Sequence, residues 1–143
     1  QQVVPDGRPC ECGRTGCWEQ YCSGKALARF AREAGRDLEG PALTEAAQNG
    51  NIVARGAFTS IGRWLGVGVA NVVAALDPEI VLIGGGVSTA GDLLLNPARV
   101  ALAESLVGAE HRQIPSLVTA TLGPDAGMIG ASVLARSQYE SAV

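Results

Sequence analysis

The stretch LDPEIVLIGGGVS, residues 76–88, decides the fold. Asp77-Pro78 stops whatever precedes it, because proline lacks a backbone donor and disfavours a helical residue before it. Four apolar residues, Ile80 to Ile83, then run without a polar break into Gly84-Gly85-Gly86. A run of that kind predicts a central strand buried on both faces, as in a parallel sheet. Glycines at the carboxyl end of such a strand let a ligand approach the backbone, at the edge where open α/β sheets bind nucleotides. Taken alone, the triplet serves a tight strand-to-loop turn equally well. Neither GxGxxG nor GxxxxGK[ST] occurs, so neither a Rossmann nor a P-loop site is supported.

Upstream of this stretch, Phe58, Ile61, Leu65, Val69, Val72 and Leu76 form one apolar stripe at helical spacing. Gly62, Gly66 and Gly68 lie inside it, and each costs about 1 kcal/mol relative to alanine in a helix. That cost implies close approach of another backbone, so the segment reads as a buried, tightly packed helix ending at Asp77-Pro78. Further upstream, Ser23 is the expected N-cap of a helix carrying Leu27, Phe30, Ala31 and Ala34 until Gly35 ends it. Residues 36–42 read as a linker, Thr44 caps a short helix through Gln48, and Asn49-Gly50-Asn51 is a break. Downstream, Asn96 as N-cap and Pro97 at the first helical position predict a helix to about Leu106. A polar turn around His111, a strand over 117–121, and a last helix from Ala126 to about Gln138 complete the chain. The order helix–strand–helix–strand–helix predicts an α/β layer architecture.

The 143 residues are enough for one domain with a real core. With 47% apolar and 17% charged residues, the composition is globular and not disordered. A formal charge of −3 and the lack of any Lys or Arg run argue against a nucleic-acid surface. The longest apolar run, Leu65 to Leu76, is glycine-broken and too short to span a bilayer, so no membrane partner is expected. Gln1 to Cys10 lacks the basic start and apolar run of a secretory leader. The sequence opens without Met, inside an extended segment, and is expected to be a piece of something longer.

Cys10, Cys12, Cys17 and Cys22 are the four cysteines, crowded near the start of the chain. A secreted disulfide scaffold would spread them to staple distant loops, whereas crowding favours a metal in a reducing cytoplasm. Cys10-x-Cys12-x4-Cys17 supplies three soft ligands, with Gly13 and Gly16 letting the backbone fold around one centre. Zinc prefers four tetrahedral ligands, so these thiolates want a fourth. Cys22 is a candidate, but it precedes the Ser23 cap and reads better as a buried small residue. His111, the one histidine, sits about a hundred residues away in a polar loop and reads as solvated. Free thiols and an oxidised neighbouring pair remain open beside zinc. Glu19 either accepts hydrogen bonds from ligand hydroxyls or favours the positive end of the following helix. Trp18 and Trp64 read as core and not as ligand platforms.

CECGRTGCWE, the following YCSGKAL, LGVGVANVVAALDPEIVLIGGGVS and the final GPDAGMIGASVLA together resemble the ROK family of repressors and sugar kinases, most closely its actinobacterial glucokinases. The resemblance covers essentially the whole chain. It implies an α/β fold that is part of an actin-like ATPase (ribonuclease H-like) domain with a zinc loop. Residues 1–143 would be the later portion of the large domain, with 1–22 the zinc loop. Residues 126–143 would be the last helix, returning to pack on an upstream domain and otherwise exposing Met128, Ile129 and Val133.

The resemblance further implies structural Zn²⁺ on Cys10, Cys12 and Cys17, with a histidine at or just before Gln1 as the fourth ligand. It places Glu19 on the hydroxyls of glucose or a related hexose, and Gly84, Gly85 and Gly86 at an ATP–Mg²⁺ site. The catalytic aspartate and the first phosphate loop would lie upstream, so this stretch alone is expected to be inactive. The implied intact protein is a cytoplasmic, self-associating ATP-dependent glucokinase acting on the 6-hydroxyl. The alternative is the sugar-sensing part of a ROK repressor. The intact glycine turn and Trp18-Glu19-Gln20-Tyr21 favour the kinase.

Overall fold

The structure, a computed structural model, describes residues 1–141, so positions 142 and 143 of the expected last helix lie outside the described residues. Among the described residues, five α-helices and two strands follow a cysteine-bearing loop: α1 Gly24–Glu33, α2 Gly40–Gln48, α3 Ile52–Leu76, β1 Ile80–Ile83, α4 Asp92–Ser105, β2 Ser116–Thr119 and α5 Ala126–Ser141. The strands pair in parallel, Ile80 opposite Ser116 through Ile83 opposite Thr119, and α4 makes the crossover between them. The chain is α/β, as its element order predicts.

The long central helix organises the core. Asn51 caps α3 through a 3.0 Å bond from the Ala54 N–H to its side chain. Asp77 ends it in the left-handed conformation, with φ 47°. Arg112 holds that end by donating to the Asp77 carboxylate and to the Val73 carbonyl. One face of α3 packs on α4, the other on α1 and α2. Phe58, Ile61, Leu43, Leu102 and Val73 are the largest fully buried side chains, each stabilising the fold by about 1.5–3 kcal/mol on burial.

Gly62 and Gly66, inside α3, are where this helix meets α4. A Cβ on Gly62 would stand 2.6 Å from the Leu94 carbonyl oxygen and from Pro97 Cγ. A Cβ on Gly66 would overlap the Ala98 carbonyl and stand 2.7 Å from Ala101 Cβ. Backbone contact therefore offsets the poor helix propensity of Gly62 and Gly66, as expected, whereas Gly68 meets the Trp18 side chain and not another backbone. The 25 residues of α3 are long and apolar enough, by length and composition, to cross a bilayer, which the shorter run Leu65 to Leu76 did not foretell. Its glycines do not break it, and Ala54, Phe58, Ile61, Leu65, Val69 and Val73 are spent on the core.

Three local expectations are corrected. The strand Ile80–Ile83 is not buried on both faces: Ile80 is 53% and Leu82 62% exposed, because among the described residues β1 pairs only with β2 and Ile80 and Leu82 face no covering layer. The helix assigned to Asn96-Pro97 begins earlier, at Asp92, and Pro97 lies inside it. Gly91, with φ 57°, turns the chain into α4, and the Pro97 ring fills the space opposite Gly62. Residues 36–42 are not all linker, since α2 starts at Gly40 with Pro41 in its first turn.

None of the described side chains of α5 is buried, and Met128, Ile129 and Val133 are exposed. The described part of the last helix thus presents its apolar residues to solvent.

Candidate functional site

The loop before α1 folds back on itself through two antiparallel bridges, Gln2 with Cys17 and Pro9 with Thr15. Gly16 is required there. Its φ is 68°, its N–H donates to the Arg8 carbonyl at 2.7 Å, and an added Cβ would overlap the Val4 carbonyl. The Cys10 N–H donates to the Arg14 carbonyl at 2.8 Å and the Gly13 N–H to the Cys10 carbonyl at 3.0 Å, closing a tight turn.

That turn brings the Cys10, Cys12 and Cys17 sulfurs within 4.8 Å of one another, with Cys12 and Cys17 3.5 Å apart. All four cysteines are unpaired thiols. Tetrahedral zinc with sulfur ligands at about 2.3 Å would hold sulfurs roughly 3.8 Å apart, so the donor set fits such an ion. Among the described residues no histidine or carboxylate completes it, and Cys22 is not part of the cluster.

The Arg14 backbone N–H, helped by the Cys17 thiol, lowers the Cys12 thiol below its usual value. The same Cys12 contact, with burial, pushes the Cys17 thiol up to about 11. Cys22 stands apart: burial, and then the Glu19 charge, push its thiol up to about 12. It packs against the core but is only half-buried, short of the buried small residue expected.

Glu19 lies in a three-residue helical turn, Trp18–Gln20, directly before α1. Its side chain is exposed and makes no hydrogen bond or ion pair among the described residues. It caps no helix by a side-chain bond; Ser23 does that for α1, accepting from the Ala26 N–H at 3.2 Å. Trp18 is half-buried against the core. His111 is exposed in a short turn after α4 and stands apart from the thiols.

The glycine triplet leaves β1 as an exposed turn, with Gly85 at φ 91°. Ser88 and Thr89 hydroxyls bind the Gly85 and Gly86 carbonyls, each at 2.7 Å. The N–H groups of Gly84, Gly85 and Gly86 donate to no acceptor among the described residues. Such a row of free donors is suited to an anionic group.

Two cavities flank this turn. One, of about 410 Å³, lies between Cys22, Ser23 and Gly24 on one side and Gly84 to Gly86 on the other. The second, of about 630 Å³, lies between α1 and α2, with Pro41, Thr44 and Gln48 across from Val87 and Thr89. Gly24, Gly86 and Val87 border both.

Sequence reasoning missed α2 as a cavity wall, because no spacing links Thr44 and Gln48 to residues forty positions later. The hydroxyl clamps carried a readable signal. Ser and Thr just after a glycine turn favour side-chain bonds to local backbone.

An α/β protein with a three-thiol loop at one end and a free-donor glycine turn between two cavities is the class that fold and site define. The chain belongs to the ROK family, whose model matches residues 1–138. It is 37% identical to a glucokinase of Streptomyces coelicolor over 94% of this chain and 48% of that protein. A ROK family glucokinase from Streptomyces griseus, solved in complex with glucose and AMPPNP, superposes with a TM-score of 0.88 at 39% identity, over 96% of this chain and 50% of that one. A xylose repressor of Bacillus subtilis is 28% identical over 89% of this chain and 33% of its own. The chain spans about half the length of the glucokinases it matches.

Proposed function

We propose that this chain is the later portion of the large, actin-like domain of a ROK glucokinase that transfers the γ-phosphoryl group of MgATP to the 6-hydroxyl of glucose. The observation that carries the reading is the exposed turn Gly84–Gly86, with its free N–H donors between two cavities. The likeness to a relative whose structure contains glucose and a nucleotide supports it. In this reading the glycine N–H groups receive ATP phosphate oxygens, and the cavity between α1 and α2 receives the adenine. Bound Mg²⁺ supplies charge neutralisation on the transferring group. Glu19 accepts hydrogen bonds from glucose hydroxyls, a role open to a carboxylate that is exposed and otherwise unbonded.

Cys10, Cys12 and Cys17 hold a structural Zn²⁺ and thereby fix the loop that carries Glu19. The general base, the first phosphate loop and the fourth zinc ligand belong to sequence upstream of Gln1. The 143 residues alone accordingly have no hexokinase activity. The intact protein is cytoplasmic and self-associating, and α5 packs on its upstream domain.

The test is steady-state kinetics of the full-length protein with Glu19→Gln. Glucose KM rises at least about tenfold, the size of one lost charged hydrogen bond, while ATP KM stays within about twofold. The reverse pattern refutes the assignment. The repressor likeness supports a second reading, the sugar-sensing part of a regulator. Operator binding released by sugar, with no phosphorylation of glucose, would establish it instead.

A further inference from the structure

Glu19 sits on a three-residue turn closed by backbone bonds, and no side-chain bond holds its carboxylate. Its neighbours are held instead. The Trp18 indole lies against α3 at Gly68, so closely that a Cβ there would overlap its Cε2, Nε1 and Cζ2 atoms. The indole N–H donates to the Trp64 carbonyl at 2.7 Å, one helical turn before Gly68. On the other side of Glu19, the Gln20 carbonyl accepts a bond from the Arg29 guanidinium of α1. The Tyr21 ring then packs on Trp64 at 4.9 Å, and its hydroxyl accepts the Arg8 N–H at 2.8 Å.

We propose that Gly68, acting through the seat it gives Trp18, is a positioning residue for the Glu19 carboxylate. The inference rests on the assignment of Glu19 to the sugar. Its physical basis is that only a residue without a Cβ lets the indole reach the α3 backbone. Carbon atoms come to rest about 3.5–4.0 Å apart, so a methyl at Gly68 moves the ring by on the order of an ångström or more. Trp18 and Glu19 are consecutive, with α-carbons about 3.8 Å apart, so whatever part of the displacement reaches the Trp18 backbone carries the Glu19 carboxylate with it. Misplacing a binding group by about 1 Å is enough to cost up to about a hundredfold. Cys17, the other neighbour of Trp18, is tied back by its bridge to Gln2 and resists the displacement that Glu19, with no side-chain bond, follows.

The experiment is a double-mutant cycle in the full-length protein, with glucose and ATP as the probes and Gly68→Ala, Glu19→Gln and the pair as the variants. Gly68→Ala raises glucose KM about tenfold or more, leaves ATP KM within about twofold and leaves zinc content unchanged. In the Glu19→Gln background the same change adds less than about twofold, because the seat acts only through the carboxylate. A purely structural role would add its full factor in both backgrounds, and that result overturns the inference. So does an unchanged glucose KM in Gly68→Ala while Glu19→Gln raises it. Glu19→Gln without effect on glucose KM overturns the sugar assignment itself, which is a distinguishable result. Should Gly68→Ala fail to fold, Trp18→Phe replaces it in the cycle. That change keeps an aromatic ring but removes the N–H bond to Trp64, and it raises glucose KM about threefold with the same non-additivity. Full additivity overturns the inference there as well.

Discussion

The same substitution at two places in α3 is expected to have opposite signs. Gly56→Ala adds a methyl group where nothing lies within 4 Å, on the exposed face of the helix. Gly66→Ala adds it against the Ala98 carbonyl oxygen, Ala101 Cβ at 2.7 Å and the Leu102 N–H at 2.8 Å. Both changes gain about 1 kcal/mol of helix propensity and restrict the unfolded chain equally. At Gly66, however, every obstructing atom is backbone or Cβ of α4, so no flexible tip can swing aside. The two helices must separate by on the order of 1 Å, and overpacking of that kind costs about 1–3 kcal/mol or more. Gly56→Ala should therefore stabilise the chain by about 0.5–1 kcal/mol, and Gly66→Ala should destabilise it by about 1–2 kcal/mol. Urea unfolding followed by tryptophan fluorescence measures the difference, which at about 2 kcal/mol/M separates the two midpoints by roughly 1 M. A Gly66→Ala midpoint equal to or above that of Gly56→Ala would refute the close-packing account of α3 and α4.

Protein purified without added metal should carry about one zinc per chain by elemental analysis, and Cys17→Ser should lose it; a full zinc complement in the variant rules out the three-thiol site. The Cys22 thiol, held at about 12 against an ordinary value of 9.0, should be alkylated at pH 8.5 far more slowly than in the urea-unfolded chain, and equal rates would contradict its burial. Because the folded value is the higher one, its contribution to stability is complete below about pH 9 and is lost as pH rises towards about 12. Cys22→Ala should flatten that alkaline decline. Arg99→Lys should lower Tm by about 4 °C, or about 1 kcal/mol, by losing the paired bonds to the Leu117 carbonyl at 3.0 and 3.2 Å. An unchanged Tm would show that those bonds are replaced by water.

What could be read from the residues was what local chemistry decides. Ser23 caps α1, Asp77-Pro78 closes α3, and Gly62 and Gly66 mark backbone contact. The crowding of Cys10, Cys12 and Cys17 foretold a convergence of sulfurs, because short glycine-containing loops leave them little choice. Misreadings came where a local signal had two meanings. Gly40-Pro41 looks like a linker, yet proline is also a helix starter. Asn96-Pro97 looks like a helix start, yet tertiary contact with Gly62 lets Pro97 sit inside α4. Composition fixes the strand Ile80–Ile83 but says nothing about how many layers cover it. The cavities were illegible for the same reason, since they form only when α1, α2 and the glycine turn come together from distant parts of the chain.

The half-covered β1 bears on how the chain behaves in concentrated solution. One edge of the strand pairs with β2 and the other is open among the described residues, with Ile80 and Leu82 turned outward. Ile80 to Ile83 contains no lysine, proline or bulge of the kind that discourages strands from pairing with those of other molecules. Such an edge is a template for intermolecular β-pairing. Refolding yield of the isolated chain should therefore fall steeply with protein concentration, through a loss channel of higher kinetic order than folding itself.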